Sequence, residues 1–279
     1  MESLDFYVVE TLNNLSEWNY PEIKIKKDSN NVFLGSGNAF NVCLLLAKKF
    51  DGQAINVVNY KNFFRNDRSY CNIYIVSASG GKDAVRMAEV IKKKGLRFKL
   101  ITNNSDAPAK KFAEKSFVFP SMIEPPTYNV STYASMIYYF FEEDLDEIEE
   151  FIKKMRVPNI REYKYILFVT KDEFEPIGKM AARKIAESLS GIGSHCEGFS
   201  DVVHGFLIQP NKHRLIFSIN QPFEFEGKKY ELNINSYLGA MLSIYYIIGK
   251  NQTKEEMESI ISQYKKFIKK FDWKLKKIM

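Results

Sequence analysis

The sequence contains few cysteines and no long apolar run. Its 279 residues include three cysteines, Cys43, Cys71 and Cys196, which are odd in number and far apart in the chain. This pattern excludes a disulfide framework, and we interpret all three thiols as structural. No run approaches the roughly 18–20 apolar residues of a membrane span, and the acidic start Met1-Glu-Ser-Leu-Asp5 does not have the composition of a signal peptide. We therefore expect a cytoplasmic protein without a membrane partner.

The common nucleotide and metal motifs are also missing. The segment Gly35-Ser-Gly37 begins like a dinucleotide motif, but Phe40 stands where the third glycine would be needed. No Gly-Lys-Ser/Thr sequence occurs, which excludes a Walker loop, and no His/Cys/Asp group has metal-ligand spacing. We expect no cofactor and no metal.

Positive charge is concentrated near the end of the sequence. The formal net charge is +6, and residues 264–277 carry many lysines between Phe267, Ile268, Phe271 and Leu275. This spacing predicts a C-terminal basic helix whose apolar side packs on the core and whose lysines face water. Because no RNA or DNA motif accompanies it, we expect no nucleic-acid partner.

Apolar segments alternate with helical patterns through the first half of the chain. Helical spacing recurs over 39–50 and 82–94. Strands are predicted at Asn31–Leu34, Ala54–Val58, Asn72–Val76, Phe98–Ile101 and Ser116–Phe119. The acidic segment from Glu142 predicts a further helix that ends before Pro158. This βαβ alternation predicts an α/β fold with a parallel sheet.

The same order restarts after Pro158. A strand at Tyr165–Thr170 is followed by a predicted turn at Glu175–Gly178 and a helix from Lys179 to Ser190. After a glycine-containing loop come a strand at Arg214–Ser218 and a long helix from about Ser236 to Ile248. The chain is therefore predicted to form two similar α/β halves, 1–157 and 158–279, and helix N-termini after the early strands suit an anion.

The loop Ser77-Ala-Ser-Gly-Gly81 joins a predicted strand to a helix. Its two hydroxyls and the helix N-terminus place hydrogen-bond donors together, and the glycines remove Cβ atoms that would keep a phosphate away. Serine and glycine are also ordinary capping and turn residues, so the loop alone leaves a purely structural role open. Two further loops, Gly35-Ser-Gly-Asn-Ala39 and the one that reaches Ser131-Thr132, also carry hydroxyls into helices.

Together these segments resemble the sugar isomerase (SIS) domain family in its tandem form. That form includes the isomerase half of glucosamine-fructose-6-phosphate aminotransferase, fructosamine-phosphate deglycases and archaeal phosphoglucose/phosphomannose isomerases. The likeness covers nearly the whole chain. It lies in Gly35–Ala39, Ser77–Gly80, Ile101–Asn104, Ser131-Thr132 and the run Cys196-Glu-Gly-Phe-Ser-Asp-Val-Val-His-Gly205.

The resemblance implies two SIS-like, doubly wound parallel-sheet halves, each a flavodoxin-like three-layer αβα structure. It implies a phosphosugar aldose–ketose isomerase, or a related amino-sugar-phosphate isomerase or deaminase, that moves a proton between C1 and C2. The segments 135–141 and 237–248 carry more apolar surface than one face of a sheet needs, and related proteins commonly complete their sites between subunits, so we expect a homodimer. Glu187 would be the base and His204 the ring-opening group. The substrate phosphate would be bound by Ser77, Ser79 and Ser131. Ser36, Gly80 and Thr132 in the same loops are further phosphate-binding candidates, and Lys82 could supply a cation at the helix N-terminus.

The residues themselves leave alternatives open. Glu187 can be a solvated carboxylate paired with Arg183, His204 can anchor a turn, and His195 and Glu197 are the next candidates for the two roles.

The sequence also departs from the family pattern in places. Ala39 and Tyr133 stand where the family has serine and lysine, and Gly81-Lys82 replaces Glu-Thr. These departures also suit a regulator that binds sugar phosphates without catalysis. The first strand begins near Asn31, so we expect no glutaminase domain and no glutamine-dependent amidotransfer.

Overall fold

The structure is a computed structural model that describes residues 2–65, 72–125, 127–205, 211–222, 224, 227–260, 262–263 and 266. The described chain forms two compact units. The first unit comprises Asn14–Met122 and Ser131–Glu143, and the second comprises Met1–Asn13, Ile123–Val130 and Asp144–Met279. Both units are α/β structures with parallel sheets, as the sequence predicted. Each unit is made of separate segments of the sequence, whereas the predicted halves, 1–157 and 158–279, are each continuous.

The first unit contains a five-stranded parallel sheet in the order β2-β1-β3-β4-β5. Its strands are β1 (Asn31–Gly35), β2 (Gln53–Asn56), β3 (Asn72–Val76), β4 (Lys99–Thr102) and β5 (Lys115–Val118). The helices that begin in the chain up to residue 143 are α1 (Leu4–Leu15), α2 (Asn38–Lys49), α3 (Tyr60–Phe63), α4 (Lys82–Lys93) and α5 (Val130–Phe141). All five strand predictions for this half are confirmed to within two residues.

The core of the first unit explains why its strands are apolar throughout. Every residue of β1 is buried, because helices cover both faces of a parallel sheet. On one face Val32 and Ile75 pack with Met87 and Ile91 of α4. On the other face the rings of Phe33 and Tyr74 stack with their centroids 5.1 Å apart.

The second unit contains a four-stranded parallel sheet in the order β7-β6-β8-β9. Its strands are β6 (Tyr165–Thr170), β7 (Gly193–Gly198), β8 (Arg214–Ile219) and β9 (Lys228–Leu232). Its helices are α6 (Leu145–Lys154), α7 (Glu175–Ser188), α8 (Phe199–Gly205), α9 (Tyr237–Lys250) and a helical segment at 254–260, here α10. The strands predicted at 165–170 and 214–218 and the long helix from about Ser236 are confirmed.

Two local predictions in this half are wrong. The turn predicted at Glu175–Gly178 is the first turn of α7, because Pro176 has the φ that a helix N-terminus requires. The glycine-containing loop predicted after Ser190 ends at Gly193, where β7 begins. This strand contains two glycines and three polar residues, so its sequence carries no apolar signal, and it is fixed by its pairing with β6.

Two further predictions concern the three cysteines and the C-terminal basic helix. Cys43 and Cys196 are free and buried, and burial raises the pKa of both thiols, in keeping with structural roles. Cys71, and the C-terminal basic helix apart from Lys266, lie outside the described residues. Across the part of the chain that the structure describes, no helix has both the length and the apolar character to cross a membrane.

Candidate functional site

The loop after β3, here called the Ser77–Ser79 cradle, presents two serine hydroxyls beside a helix N-terminus. The backbone N–H of Gly80 donates to Ser77 Oγ, and that of Gly81 donates to Ser79 Oγ, each at 3.2 Å. A hydroxyl that accepts a hydrogen bond can still donate its own proton. Ser77 and Ser79 are thus oriented by the loop backbone with their donors available, next to the N-terminus of α4 at Lys82, which is itself exposed.

Neighbouring contacts make this loop rigid. Thr102 Oγ1 donates to the carbonyl of Ala78 at 2.9 Å, and Asn104 Nδ2 donates to that of Ser79 at 3.1 Å. Gly80 has a φ of +57°, and a Cβ added there would come 2.3 Å from Ala107 Cβ. Position 80 therefore requires glycine for both its backbone angle and its close approach to Ala107.

The cradle lies where the strand order of the first sheet reverses. The chain runs from β1 to its neighbour β2 on one side and then crosses to β3 on the other side of β1. The loops that follow β1 and β3 therefore separate at the carboxyl edge, and such switch points are where open α/β sheets bind ligands. Ser36 lies in the loop after β1, followed by Gly37 with a φ of +60°.

The remaining predicted phosphate ligands are less accessible. Ser131 is fully buried, and its Oγ accepts the N–H of Met122 at 2.9 Å. Thr132 is 8% exposed, and its carbonyl accepts a hydrogen bond from Asn103 Nδ2 at 3.3 Å. Asn103 directly follows β4, so the start of α5 is attached to the same edge of the sheet as the cradle. A phosphate contact at Ser131 stays a prediction and requires its hydroxyl to become accessible.

Glu187 lies on the wall of a cavity in the second unit. The cavity has a volume of about 760 Å³ and is formed by the end of α7 and by α10. The Glu187 side chain is 31% exposed, so it is partly sheltered but still reachable. The other described lining residues are Thr127, Ala186, Ser188, Leu189, Ser190, Thr253, Glu255, Glu256, Ser259, Ile260 and Gln263.

A buried lysine holds Glu187 in place. The Lys184 side chain has no exposed surface, and its Nζ lies 3.0 Å from Glu187 Oε2 and donates to the carbonyl of Thr127. Burial lowers the pKa of Lys184, and the nearby Glu187 carboxylate opposes that shift. Glu187 thus has a buried lysine as a partner, and its pairing with Arg183 stays an alternative.

The sequence did carry a signal for Lys184. The buried side of α7 contains Ile177, Met180, Ala181 and Ile185. Position 184 lies three and four residues after Ala181 and Met180, so it falls on the same side. A lysine at such a position is rarely fully buried unless it is paired, and Glu187 at i+3 is a partner within reach.

Replacing Lys184 by Met tests whether this lysine positions Glu187. Met keeps the aliphatic stem but removes the ammonium, so turnover should fall about tenfold or more while KM changes little. Because burial lowers its pKa, Lys184 should lose its proton at a lower pH than an ordinary lysine does. Turnover of the wild type should decrease as pH rises through that range. That alkaline decrease should be absent in Lys184→Met. Parallel pH–rate profiles of the wild type and Lys184→Met would show that Lys184 has a structural role only.

Glu256 connects the two walls of the cavity. Its Oε1 accepts the N–H and the Oγ–H of Ser190 at 2.6 and 2.8 Å, and its Oε2 accepts the N–H of Thr253 at 3.0 Å and pairs with Arg161. The N–H of Glu256 donates in turn to Thr253 Oγ1 at 3.2 Å, which completes a capping box at the start of α10. Burial by itself would raise the pKa of Glu256, but these donors hold it below its usual value.

The low pKa of Glu256 gives an expected acid sensitivity. A carboxyl whose pKa is lower in the folded state stabilises the fold above its unfolded-state pKa, and that contribution is lost as pH falls through the folded pKa. Glu256→Gln should cost about 1–3 kcal/mol near pH 7 and flatten the acid limb of the stability curve, measured by urea unfolding from pH 7 to 3. Glu258 is exposed on α10, so Glu258→Gln should change neither the stability near pH 7 nor its decrease at acid pH. Equal losses of stability in the two variants would contradict the role given to Glu256.

His204 lies at the other end of the second sheet from Glu187. Glu187 is one residue from the C-terminal end of α7 and precedes the start of β7, whereas His204 is on α8, which follows the end of β7. The six residues of β7 span roughly 20 Å at about 3.3 Å per residue. The structure therefore does not bring the two residues together in one subunit, contrary to the expectation that the glycine loop would return the chain toward Glu187. His204 is exposed.

The alternative candidates His195 and Glu197 form a contact of their own. Their Nε2 and Oε1 atoms lie 2.6 Å apart on the edge strand β7. Ser194 and Cys196 of the same strand contact α7 at Ala182 and Gly178. Because side chains alternate along a strand, His195 and Glu197 face away from the helix that carries Glu187. No group of three or more His, Cys, Asp or Glu suited to a metal occurs within the described ranges.

Comparisons with known proteins give a likeness of structure. No protein-family model and no curated protein matches the sequence. Glucosamine-6-phosphate deaminase from Thermotoga maritima aligns over 93% of this chain and 91% of its own, with a TM-score of 0.57 and 16% identity. Tagatose-6-phosphate ketose/aldose isomerase from Escherichia coli aligns over 88% and 86%, with a TM-score of 0.59 and 11% identity.

A third solved structure has the same fold as most of the chain. The C-terminal domain of glucosamine-fructose-6-phosphate aminotransferase from Francisella tularensis aligns over 94% of this chain and 97% of its own, with a TM-score of 0.62 and 12% identity. At these identities the comparisons establish the fold, and the chain has the α/β fold of phosphosugar isomerases.

Proposed function

We propose that this protein is a sugar-phosphate isomerase, or a related amino-sugar-phosphate isomerase or deaminase, that transfers a proton between C1 and C2 of its substrate. The observation that carries this proposal is Glu187, a carboxylate held by a buried ammonium on the wall of a cavity of about 760 Å³. Glycine-bearing anion cradles and cavity carboxylates together suit a phosphorylated substrate that undergoes proton transfer. The structural neighbours include an isomerase and a deaminase of hexose 6-phosphates, which supports this class.

In the proposed reaction the phosphate binds the Ser77–Ser79 cradle. The hydroxyls of Ser77 and Ser79 donate to its oxygens beside the N-terminus of α4, with Gly80, Lys82, Ser36 and Thr132 as further candidates for contact. The phosphate fixes the sugar so that the reacting carbons occupy a defined position, which lowers the entropic cost of proton transfer.

Glu187 then acts as the base. Its carboxylate removes the proton from C2 of the open-chain aldose; the C–H electron pair forms the C1–C2 double bond, and the carbonyl pair moves to O1, which takes up a proton to give an enediol or enolamine. The C2 hydroxyl or amine then loses a proton as the C2 carbonyl or imine forms, and the carboxylate returns its proton to C1. Lys184, 3.0 Å from Glu187 Oε2, keeps the carboxylate oriented. His204 opens a cyclic substrate by donating a proton to the ring oxygen as the bond between C1 and that oxygen breaks.

The distance between Glu187 and His204 within one chain requires a second chain if both act on one substrate. We therefore propose a homodimer in which His204 is presented to the Glu187 cavity of the other copy. His204 lies on the exposed part of α8 beside Val203, which is 63% exposed, and an exposed apolar residue there suits a contact surface.

A non-catalytic sugar-phosphate-binding regulator is the alternative function. The buried hydroxyl of Ser131, together with Ala39 and Tyr133 at positions where the family has serine and lysine, favours it. A thermal-shift screen of hexose and hexosamine 6-phosphates, with the matching unphosphorylated sugars as controls, identifies ligands. Conversion of a stabilising phosphate to its ketose or aldose partner, or to a ketose and ammonia, supports the enzyme. Failure of every phosphate to stabilise the protein would contradict both functions.

A further inference from the structure

The second sheet ends one strand earlier than the first. Its strand order, β7-β6-β8-β9, repeats the order β2-β1-β3-β4 of the first sheet, which continues with β5 beside β4. Within the described part of the second unit, no strand pairs with the outer edge of β9. This edge therefore lies where a fifth strand would pair, and an open edge is a template for another strand.

The backbone groups on the open edge belong to Lys229 and Glu231. The carbonyl of Leu232 accepts the N–H of Asn220 at 3.0 Å, and Asn220 directly follows β8, so Leu232 faces inward. In a parallel sheet, alternate residues of a strand direct their N–H and C=O groups to opposite sides. Counting back from Leu232, the groups of Lys229 and Glu231 point away from β8.

The side chains of the same two residues carry opposite charges. Lys229 Nζ lies 2.5 Å from Glu231 Oε1, and both residues are exposed on one face of the sheet. Lysine alone on an edge strand opposes pairing. The order Lys229-Tyr230-Glu231 is instead self-complementary, because two antiparallel copies centred on Tyr230 place each lysine opposite the glutamate of the other copy.

A groove beside β9 has room for an added strand. Its volume is about 640 Å³, and it lies between β9 and α6, with the half-buried Phe151 and Met155 in its wall. Tyr230 Oη donates to the carbonyl of Arg156 at 2.7 Å and connects β9 to the end of α6. Three acidic and three basic side chains line the groove, so it suits an uncharged or self-complementary partner better than a strongly charged one.

We propose that β9 pairs antiparallel with β9 of a second copy about a twofold axis at Tyr230. Lys229 and Glu231 then exchange backbone hydrogen bonds and form ion pairs across the axis. Residues opposite each other share a face, so the two Tyr230 side chains meet beside Phe151 and Met155. Parallel sheets often carry an antiparallel strand at an edge, and a twofold contact of this kind closes on itself.

This contact is separate from the homodimer proposed above. The strands β9 and β7 are opposite edges of the second sheet, and α8 with His204 follows β7. A strand of five residues forms a contact well below the roughly 1,000 Å² of a stable interface. Homodimers should therefore be the main species at micromolar concentration and should associate through β9 only at higher concentration.

Sedimentation equilibrium of the full chain, from micromolar to submillimolar concentration, tests the pairing. The wild type should associate reversibly. Lys229→Glu and Glu231→Lys should each weaken association about tenfold or more, because each turns both cross-strand ion pairs into like-charge pairs. An equimolar mixture of these two variants should associate as the wild type does, because only the mixed pair has opposite charges at both positions.

Two further sets of variants complete the experiment. Lys229→Glu/Glu231→Lys exchanges the charges within one chain and should associate as the wild type does. Glu149 and Lys153 form an exposed ion pair on α6 outside the groove lining, so Glu149→Lys and Lys153→Glu should leave association unchanged. A wild type that does not associate at submillimolar concentration would overturn the inference. Equal weakening by the control variants, or no recovery in both the mixture and the double variant, would also overturn it.

Discussion

Glu187→Gln should lower turnover by about 100-fold or more while sugar-phosphate binding persists. The amide has the shape of the carboxylate but cannot accept the C2 proton, so the loss falls on the chemical step. Steady-state kinetics gives turnover, and calorimetry with the same ligand gives binding. If Glu187→Gln keeps full activity, the base is elsewhere, and Glu197 on β7 becomes the next candidate.

The separation of Glu187 and His204 makes a stronger form of this experiment possible. Glu187→Gln and His204→Asn should each be nearly inactive on a cyclic substrate, but the two variants unfolded and refolded together should regain activity. In a homodimer with shared sites, half of the random dimers are mixed and each of these has one intact site of two. The mixture should therefore recover roughly a quarter of wild-type activity.

Two controls define what this mixing means. Each variant refolded alone should stay inactive, and light scattering at micromolar concentration should give a dimer. His204→Asn should reduce turnover of cyclic substrates more than that of open-chain analogues, since only the cyclic form needs ring opening. A monomer, or a mixture as inactive as its components, would contradict the proposed sharing of sites between subunits.

The double variant Ser77→Ala/Ser79→Ala should lose most of its affinity for sugar phosphates. Two hydrogen bonds to a charged group contribute about 2–4 kcal/mol, so their loss should raise the dissociation constant roughly 30- to 1,000-fold. The backbone N–H groups of Gly80 and Gly81 would also lose the hydroxyls that they contact. Calorimetry with the best ligand from the thermal-shift screen measures the effect.

Ser105→Ala is a matched control for the cradle. Ser105 is exposed in the loop after β4, at the same edge of the first sheet, and its substitution should change affinity little. The double variant should keep its unfolding temperature within a few degrees of the wild type, because Thr102 and Asn104 still hold the loop. Unchanged affinity in the double variant would show that the phosphate binds elsewhere.

The sequence alone predicted those elements whose own residues carry the pattern of a strand, loop or helix. Strands such as β1 and β3 are continuous apolar segments because both of their faces are buried, and their predicted bounds agree closely with the structure. The position of the Ser77–Gly81 loop followed from the same reasoning, since a strand, a glycine pair and an amphipathic helix are adjacent in sequence.

Features that depend on contacts between distant segments could not be predicted in this way. The strand β7 is polar and forms because β6 offers an open edge, and its direction carries the chain away from Glu187. The connection of Glu256 to Ser190 and Arg161 joins residues 66 and 95 positions apart. The burial of Lys184 and its contact with Glu187 could have been predicted in part. The sequence places Lys184 on the apolar side of α7, and Glu187 follows it within one helical turn.

Deuterium incorporation from solvent tests the central claim most directly. Proton NMR in deuterated water follows the C1 and C2 positions of a sugar phosphate that binds the protein. The wild type should exchange these protons for deuterium, and Glu187→Gln should bind the same ligand with exchange reduced about 100-fold or more. Tight binding by the wild type with neither exchange at C1 or C2 nor conversion of the ligand would contradict it and would favour a sugar-phosphate-binding regulator.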